Sequence, residues 1–446
     1  MTAPTSPLQI RDFRRLWLAR LCSVLATTGM VVIIGYQLYD IARGTYGMSI
    51  AEASLQLGLL GLFQFVPLFV LTPVAGVMAD RFDRRIVAGC AIAVDIGIAL
   101  ALAWATLASA VTLPLLFLLA ALHGSARVFV GPSTSSMVPN VVPADLMPKA
   151  IALSSIAWQT GSMAGPAAVG LLFALHPSSP YWVSAALLIV ACLSVLSIRR
   201  LPTHEANREV HPVRQIIDGF RYVWNERFLL GCVTLDLFAV LLGGATALLP
   251  LFARDILHVG PEGLGLMRAS PAVGAALVAF WLSWRPMSRN VGVKMLWGVA
   301  VYGAATIAFA LSRDFVLSLG LLAVLGAADM VSVYVRSSLV QLNTPDDVRG
   351  RVSAISGLAI SASNELGEMR AGVAAALLGA TGAVAIGGAG AIIVTVLWAW
   401  IFPELKNART FAPQYRQRSI HHEGRKHPRN HRQYAAHPPL AHVPRP

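Results

Sequence analysis

Residues 55–85 read LQLGLLGLFQFVPLFVLTPVAGVMADRFDRR. The run 55–79 carries no charged residue, and as helix it is long enough to cross a hydrocarbon core of about 30 Å. It ends abruptly on Asp80, Arg81, Asp83, Arg84 and Arg85. A membrane-length uncharged run that stops in a basic cluster is a transmembrane helix reaching the positively charged side of a bilayer. Helix is the economical reading, because a backbone in lipid must satisfy its own hydrogen bonds. A barrel strand would alternate polar and apolar residues, and segments such as 181–198 do not.

The same pattern recurs along the chain. Spans are expected near 16–38, 55–79, 86–108, 113–138, 150–174, 181–198, 229–253, 264–284, 293–311, 315–342, 352–379 and 382–402. Composition agrees, since 56% of the 446 residues are hydrophobic, 13% are charged and the mean hydropathy is +0.64. A soluble domain of this size needs more polar surface. The expectation is an all-α membrane protein of twelve transmembrane helices in two six-helix, pseudo-symmetric bundles. Residues 1–15 form the N-terminus, 16–198 the first bundle, 199–228 a linker, 229–402 the second bundle and 403–446 a basic tail expected to be disordered. Ile216, Ile217, Phe220, Tyr222, Val223 and Trp224 make the second half of the linker amphipathic, suited to the inner membrane surface.

The net charge of +13 follows topology and not a nucleic-acid surface. With the N-terminus in the cytoplasm, the outer loops hold only Arg43, Arg254 and Arg313. Arg127, Arg268, Arg336 and Arg370 lie within spans, and the rest of the 35 Lys and Arg fall on the side of the termini. That asymmetry places both termini in the cytoplasm of a multi-pass inner-membrane protein. Cys22, Cys90, Cys192 and Cys232 lie inside spans without metal spacing and read as packing residues. The tail histidines, His421 to His442, lack regularly spaced acidic or cysteine partners, so a basic tail touching anionic lipid is the simpler reading and no metal or cofactor is expected.

The halves are related. VPADLMPKAIAL (142–153) falls on TPDDVRGRVSAI (344–355), and in that register Gly124 meets Gly326 and Gly165 meets Gly367. With a small insertion, LGLLGLFQFV (57–66) falls on LGLMRASPAV (264–273). The helices repeat in the same order, so a six-span unit was doubled in parallel, an architecture of transporters with a site between the repeats.

The spacing G-x-x-x-D-R-x-x-R-R, carried by Gly76, Asp80, Arg81, Arg84 and Arg85, resembles the signature loop of the major facilitator superfamily. The resemblance implies that Asp80 and Arg81 latch the cytoplasmic ends of the halves, with Asp80 near Gly350–Arg351. The second-half loop SWRPMSRNVGVK (283–294) lacks the glycine and aspartate, which puts a symmetric second latch in doubt. In the fifth span, Gly161, Gly165, Pro166 and Gly170 place small residues four apart and a bend, which suits a close-packed face. The spacing also resembles the antiporter motif of drug-exporting members, although its final paired glycines are incomplete. More narrowly, WLARL (17–21), TPDDVRGRVSAISGL (344–358) and AALLGATGA (375–383) resemble the enterobactin-exporter branch. This implies export of a siderophore or another secreted metabolite.

Charges inside spans are costly and mark function by default. Arg127 and Asp329 occupy equivalent positions in the two halves, and Asp329 shares a helix face with Arg336. The resemblance puts spans 1, 4, 7 and 10 at a central cavity, so Arg127, Asp329 and Arg336 are expected to form a polar patch there, or a salt bridge that only packs helices. Glu365 and Glu368 lie three apart, and two carboxylates in one low-dielectric site cannot both ionise cheaply. They are therefore proton-coupling candidates, with Asp329 and Asp236 beside them, and Arg370 nearby is expected to offset their charge. The alternative is a neutralised structural cluster. Asp95 reads as structural. Gln37, Gln159 and Asn364 join Arg127 and Arg336 as substrate-cavity candidates. No catalytic motif or phosphate loop is present, so an ion gradient and not ATP is the expected energy source. The expectation is a monomeric exporter of a small molecule, siderophore or drug, by proton antiport. An uptake permease of the same fold and a non-transporting sensor or scaffold remain open.

Overall fold

The computed structural model describes residues 6–200, 212–285 and 287–411; the side chains of Gly76, Asp80 and a few neighbours at helix ends lie outside that description, as does the tail. Every regular element among the described residues is a helix, and they contain no strand. The first half comprises α1 (Arg11–Gly44), α2 (Ile50–Arg81), α3 (Arg84–Leu107), α4 (Leu113–Val141), α5 (Met147–Leu175) and α6 (Ser179–Leu196). The linker contains α7 (Pro212–Asn225). The second half comprises α8 (Arg227–Gly243) with an irregular extension, then α9 (Gly260–Trp284), α10 (Val291–Leu311) and α11 (Phe315–Asn343). The helix Asp346–Ile401 is two spans, α12 (346–378) and α13 (380–401), because Gly379 breaks it at φ 75°, ψ 161°. Only glycine adopts that backbone cheaply.

Ten helices are long and apolar enough to cross a bilayer. Splitting the last at Gly379 and adding the 29-residue α5 gives the twelve expected spans. Several helices outrun their apolar runs. α1 begins at Arg11 and not near 16, because Asp12, Arg14 and Arg15 continue the helix beyond the hydrocarbon. Local chemistry sets other ends. Ser49 and Glu52 form a reciprocal capping box that starts α2. Asp83 accepts from Arg85 N–H to start α3, and Asp314 accepts from Leu317 N–H to start α11.

Within each half the helices pack on apolar faces, and one continuous core runs through the first half into the outer part of the second. Across the halves, α2 lies against α12 and α5 against α9. Both crossings depend on glycine. A Cβ at Gly58 would sit 2.8 Å from the Met369 carbonyl and 3.1 Å from Gly372 Cα. One at Gly170 would sit 2.6 Å from the Pro261 carbonyl and 2.9 Å from Gly265 Cα. These contacts lie between the middle of the bundle and the side remote from the termini. On the termini-bearing side, α4 exposes Arg127, Gly131, Ser135 and Pro139, spaced four apart on one face. α5 exposes Trp158 and Gln159, and α12 exposes Asn364. The bundle is closed on the remote side and open on the termini-bearing side.

Candidate functional site

The mid-level of the interface between the halves holds four charged residues. Arg127 of α4 donates from Nη2 to Glu365 Oε1 of α12 at 3.1 Å. The arginine side chain is 41% exposed, while the glutamate is 7% exposed. Glu368, one turn along α12, lies against Gly61 of α2, where a Cβ would meet Glu368 Cβ at 3.0 Å and the Glu365 carbonyl at 3.1 Å. Both Arg127 and Arg268 of α9 are close enough to act electrostatically on Glu368. The Arg268 Nε is buried and has no hydrogen-bond partner among the described residues. Two arginines therefore face two carboxylates, contributed by α4, α9 and α12. The cluster is balanced when both carboxylates are ionised, and a proton on either leaves it one positive charge in excess.

The expected patch of Arg127, Asp329 and Arg336 does not form. Arg336 of α11 pairs with Asp236 of α8 inside the second half, each side chain 9% exposed. Neither residue of that pair presents its charge to the open cavity. Asp329 turns toward α10 and α8, beside Tyr302, Val240 and Ser332, in a cavity of about 10 Å³ with room for one water molecule at most. Among the described residues it makes no ion pair. The two positions match in the repeat but not in orientation: Arg127 reaches across to the other half, whereas Asp329 faces helices of its own half.

Gln37 is also not at the cavity. It is buried within the first half, donating to Thr106 Oγ1 at 3.0 Å and accepting from Tyr181 Oη at 2.6 Å. Gln159 and Asn364 are exposed on the open side. Arg370 does not offset the glutamates. It points to the seventh span and donates to the Leu241 carbonyl at 2.9 Å.

The latch between Asp80 and Gly350–Arg351 lies outside the described side chains. Of the basic loop, Arg81 is exposed. Arg84 donates to the Ser136 carbonyl at 2.9 Å, and Arg85 pairs with Asp83 at 2.6 Å and reaches the Ile198 carbonyl at 2.5 Å. Those two arginines tie α3 to α4 and α6 within one half. The Arg85 guanidinium, hydrogen-bonded to Asp83, holds that carboxyl below the usual carboxylate range. In α5, Gly161 and Gly165 seat α1: their Cβ positions fall 2.7 Å from Val24 Cγ1 and 2.6 Å from the Leu25 carbonyl. Gly170 instead forms the crossing to α9.

Two features escaped the sequence reading. His123 of α4 meets Asp95 of α3, Nδ1 to Oδ1 at 2.8 Å, both 1% exposed. A histidine inside one span and an aspartate inside the neighbouring one were the available signal. At the remote end, Tyr39, Asp40 and Arg43 of α1 meet Arg254 and Asp255 of the seventh span. Of those residues only Arg43 and Arg254 were read from the sequence, as outer-loop charges.

Comparison with known proteins agrees with this geometry. The Major Facilitator Superfamily family model matches residues 16–367. The enterobactin exporters of Shigella boydii serotype 18 and Shigella dysenteriae serotype 1 are each 26% identical over 415 residues, 90% of this chain and 94% of theirs. A bacterial homologue of the human lysosomal transporter Spinster, solved inward-facing and occupied, matches with a TM-score of 0.70 at 14% identity, covering 91% of this chain and 98% of that one. The nucleoside transporter NupG matches with a TM-score of 0.68 at 15% identity, covering 88% and 100%. These relatives are transporters and not enzymes. The doubled six-helix halves, the charged interface between them and the match over most of the length have one reading: the chain belongs to the major facilitator superfamily and is a multi-pass membrane transporter.

Proposed function

We propose that this protein exports a small secreted metabolite of the siderophore class across the inner membrane in exchange for protons, acting as a single chain with both termini in the cytoplasm. The observation that carries the proposal is the Arg127–Glu365 contact with Glu368 and Arg268 beside it, bridging the two halves where they must separate. The carboxylates hold the halves together while ionised. A substrate that engages them and a proton that neutralises them exclude each other, which is the requirement for antiport. The open side bears the termini, so this conformation faces the cytoplasm, from which an exporter loads. Gln159 and Asn364 on that side supply polar contacts for cargo. The direction of transport and the class of cargo draw support from the exporters at 26% identity.

The test compares metabolites in medium and cytoplasm for cells with and without the protein, each with and without an uncoupler. A compound that disappears from the medium and accumulates in cells lacking the protein is the cargo, and uncoupler should abolish its secretion. Secretion that persists under uncoupler rejects proton exchange. A compound that instead accumulates in the medium of deficient cells identifies an uptake permease.

A further inference from the structure

α1 carries a charge that the proposed exchange does not use. Arg20 is half-buried and makes no hydrogen bond or ion pair among the described residues. The acid that precedes it on the helix, Asp12, is taken by Arg15 and Arg199. A partly desolvated guanidinium at the edge of a bilayer faces water or an anion, because lipid cannot match its charge.

The packing of α1 fixes which way Arg20 faces. Trp17 and Thr28 donate to the Leu153 and Gly161 carbonyls of α5. Arg15 donates to the Ser197 carbonyl just past α6, and Gln37 accepts from Tyr181 of α6. Arg20 lies between those two faces. It shares a stripe, within about 20°, with Thr27 and Val31, both half-buried. Leu18, exposed on the lipid side, is turned about 160° from it. About 60° round from Arg20, a Cβ at Gly35 would lie 3.9 Å from Pro250 of the second half and 4.0 Å from Leu60 of α2. That side of α1 therefore faces the space between the halves, which is filled at Gly35 and open toward the termini.

Ile10 and Val141 line one groove at the termini-bearing end. Counted from there at about 1.5 Å per residue, Arg20 stands about 15 Å along α1 and Arg127 about 21 Å along α4. Gly131 of α4 stands level with Arg20, and no neighbouring atom lies within 4 Å of the Cβ it lacks. The space opposite Arg20 is thus open, and Arg20 stops about 6 Å short of the Arg127–Glu365 contact. The residues exposed there from α4, α5 and α12, namely Gly131, Ser135, Gln159 and Asn364, include no acid.

We propose that Arg20 is the acid-binding end of the cargo site: it takes a carboxylate or similar anionic oxygen group of the metabolite, while a hydroxyl or amine elsewhere on the same molecule engages Glu365. A guanidinium offers paired N–H donors that fit both oxygens of one carboxylate. The donor end competes with the proton for Glu365, so exchange is kept; the acid end adds affinity without touching the group that carries the proton. The cargo class narrows to acids with a hydrogen-bond donor about 6 Å from the acid group. The assignment rests on the open side being the loading side of the proposed exporter, but binding needs neither a gradient nor a direction, so it is tested apart from them.

The experiment uses the purified full chain in a neutral detergent at pH 7. Equilibrium dialysis measures binding of labelled salicylate, malate and citrate, each against its amide, as probes of the acid end. At least one acid should bind in clear preference to its amide. Arg20→Gln should weaken that acid about tenfold or more and leave the amide unchanged, and Arg20→Lys, which keeps the charge, should retain the preference. Arg14→Gln, exposed on another face of α1, should bind as the wild type does. No preference for any acid in the wild type overturns the proposal. So does an equal loss in Arg14→Gln, which would mark general attraction to a basic surface. The remaining source of an anionic oxygen is a lipid phosphate. If Arg20→Gln keeps acid binding but loses phosphatidylglycerol carried through purification, counted by mass spectrometry, Arg20 holds a headgroup and the cargo assignment is overturned.

Discussion

Removing Glu365 should cost less stability than removing Arg127, although the two form one contact. The separation of 3.1 Å gives a Coulomb attraction of about 5 kcal/mol at an effective dielectric of 20, and about 1 kcal/mol at that of water. The arginine is 41% exposed toward the open side, so screening pulls the net value to the lower part of that range, about 1–2 kcal/mol. The partners differ in what they leave behind. Glu365→Gln leaves an arginine that water can hydrate, and the cost should be about 1 kcal/mol. Arg127→Met leaves a carboxylate that is 7% exposed and still beside Glu368, which should cost about 3 kcal/mol unless the site takes up a proton. The double variant should recover much of that loss, with a coupling of about 1–2 kcal/mol. Unfolding in detergent, followed for the four members of the cycle, measures each value. Efflux of the cargo found by the secretion comparison, driven by an imposed pH gradient, gives the second readout: Glu365→Gln should abolish gradient-driven efflux while cargo exchange across equal pH persists. Zero coupling in the cycle, or full gradient-driven efflux in Glu365→Gln, would refute the argument that this contact joins stability to proton exchange.

Three further outcomes are expected. Asp236→Asn strands Arg336 inside the second half and should cost about 3–5 kcal/mol in detergent unfolding, whereas Asp236→Leu with Arg336→Leu should cost less. Gly58→Val and Gly170→Val each push a side chain into backbone of the opposite half, so both should loosen that crossing and lower the melting temperature in detergent. For Asp83 the folded carboxyl lies below its unfolded value of about 3.9, so its contribution is fully present above that pH and is lost as pH falls through the depressed value. Asp83→Asn should therefore lower stability at pH 7 and narrow its gap to the wild type under strongly acidic conditions, as read from melting curves.

The spans were legible because a bilayer imposes one length and one hydropathy on every crossing. Their polar partners were not, because a pairing depends on the rotation of two helices about their own axes. Arg127 and Asp329 match in the repeat, yet Arg127 reaches α12 and Asp329 faces α10. The Asp236–Arg336 pair joins two residues that the sequence had placed in different groups. One signal was present and overlooked. Arg370 follows Glu365 by five residues, about 140° around a helix, so it faces away from the glutamate and toward the seventh span. The break at Gly244 was signalled only by the Gly243–Gly244 pair and Pro250, residues that membrane helices also use for close packing. His123 and Asp95 were each visible inside a span, but nothing in a single sequence says that α3 and α4 turn those faces together.

The repeat explains where symmetry ends and function begins. In the register that sets LGLLGLFQFV on LGLMRASPAV, Gly58 corresponds to Gly265; in that of the polar loops, Gly170 corresponds to Gly372. The structure makes that contact twice, Gly58 against Gly372 and Gly265 against Gly170, with hypothetical Cβ approaches to the facing Cα of 3.1 Å from Gly58 and 2.9 Å from Gly170. The two crossings are thus one ancestral contact in two copies, the pivot on which similar halves can rock. One turn toward the middle the copies part. Gly61 corresponds to Arg268, and Pro166 corresponds to Glu368. In one crossing glycine faces the glutamate; in the other the proline carbonyl lies 2.9 Å from a Cβ at Gly265, one turn from Arg268. Each interface carries a charge where the other has an uncharged residue, basic in α9 and acidic in α12, and Arg268 and Glu368 are close enough to act on each other across the centre. Under the proposed proton exchange, a symmetric pivot with an antisymmetric charge beside it is the place where a single proton would bias which side of the pivot closes.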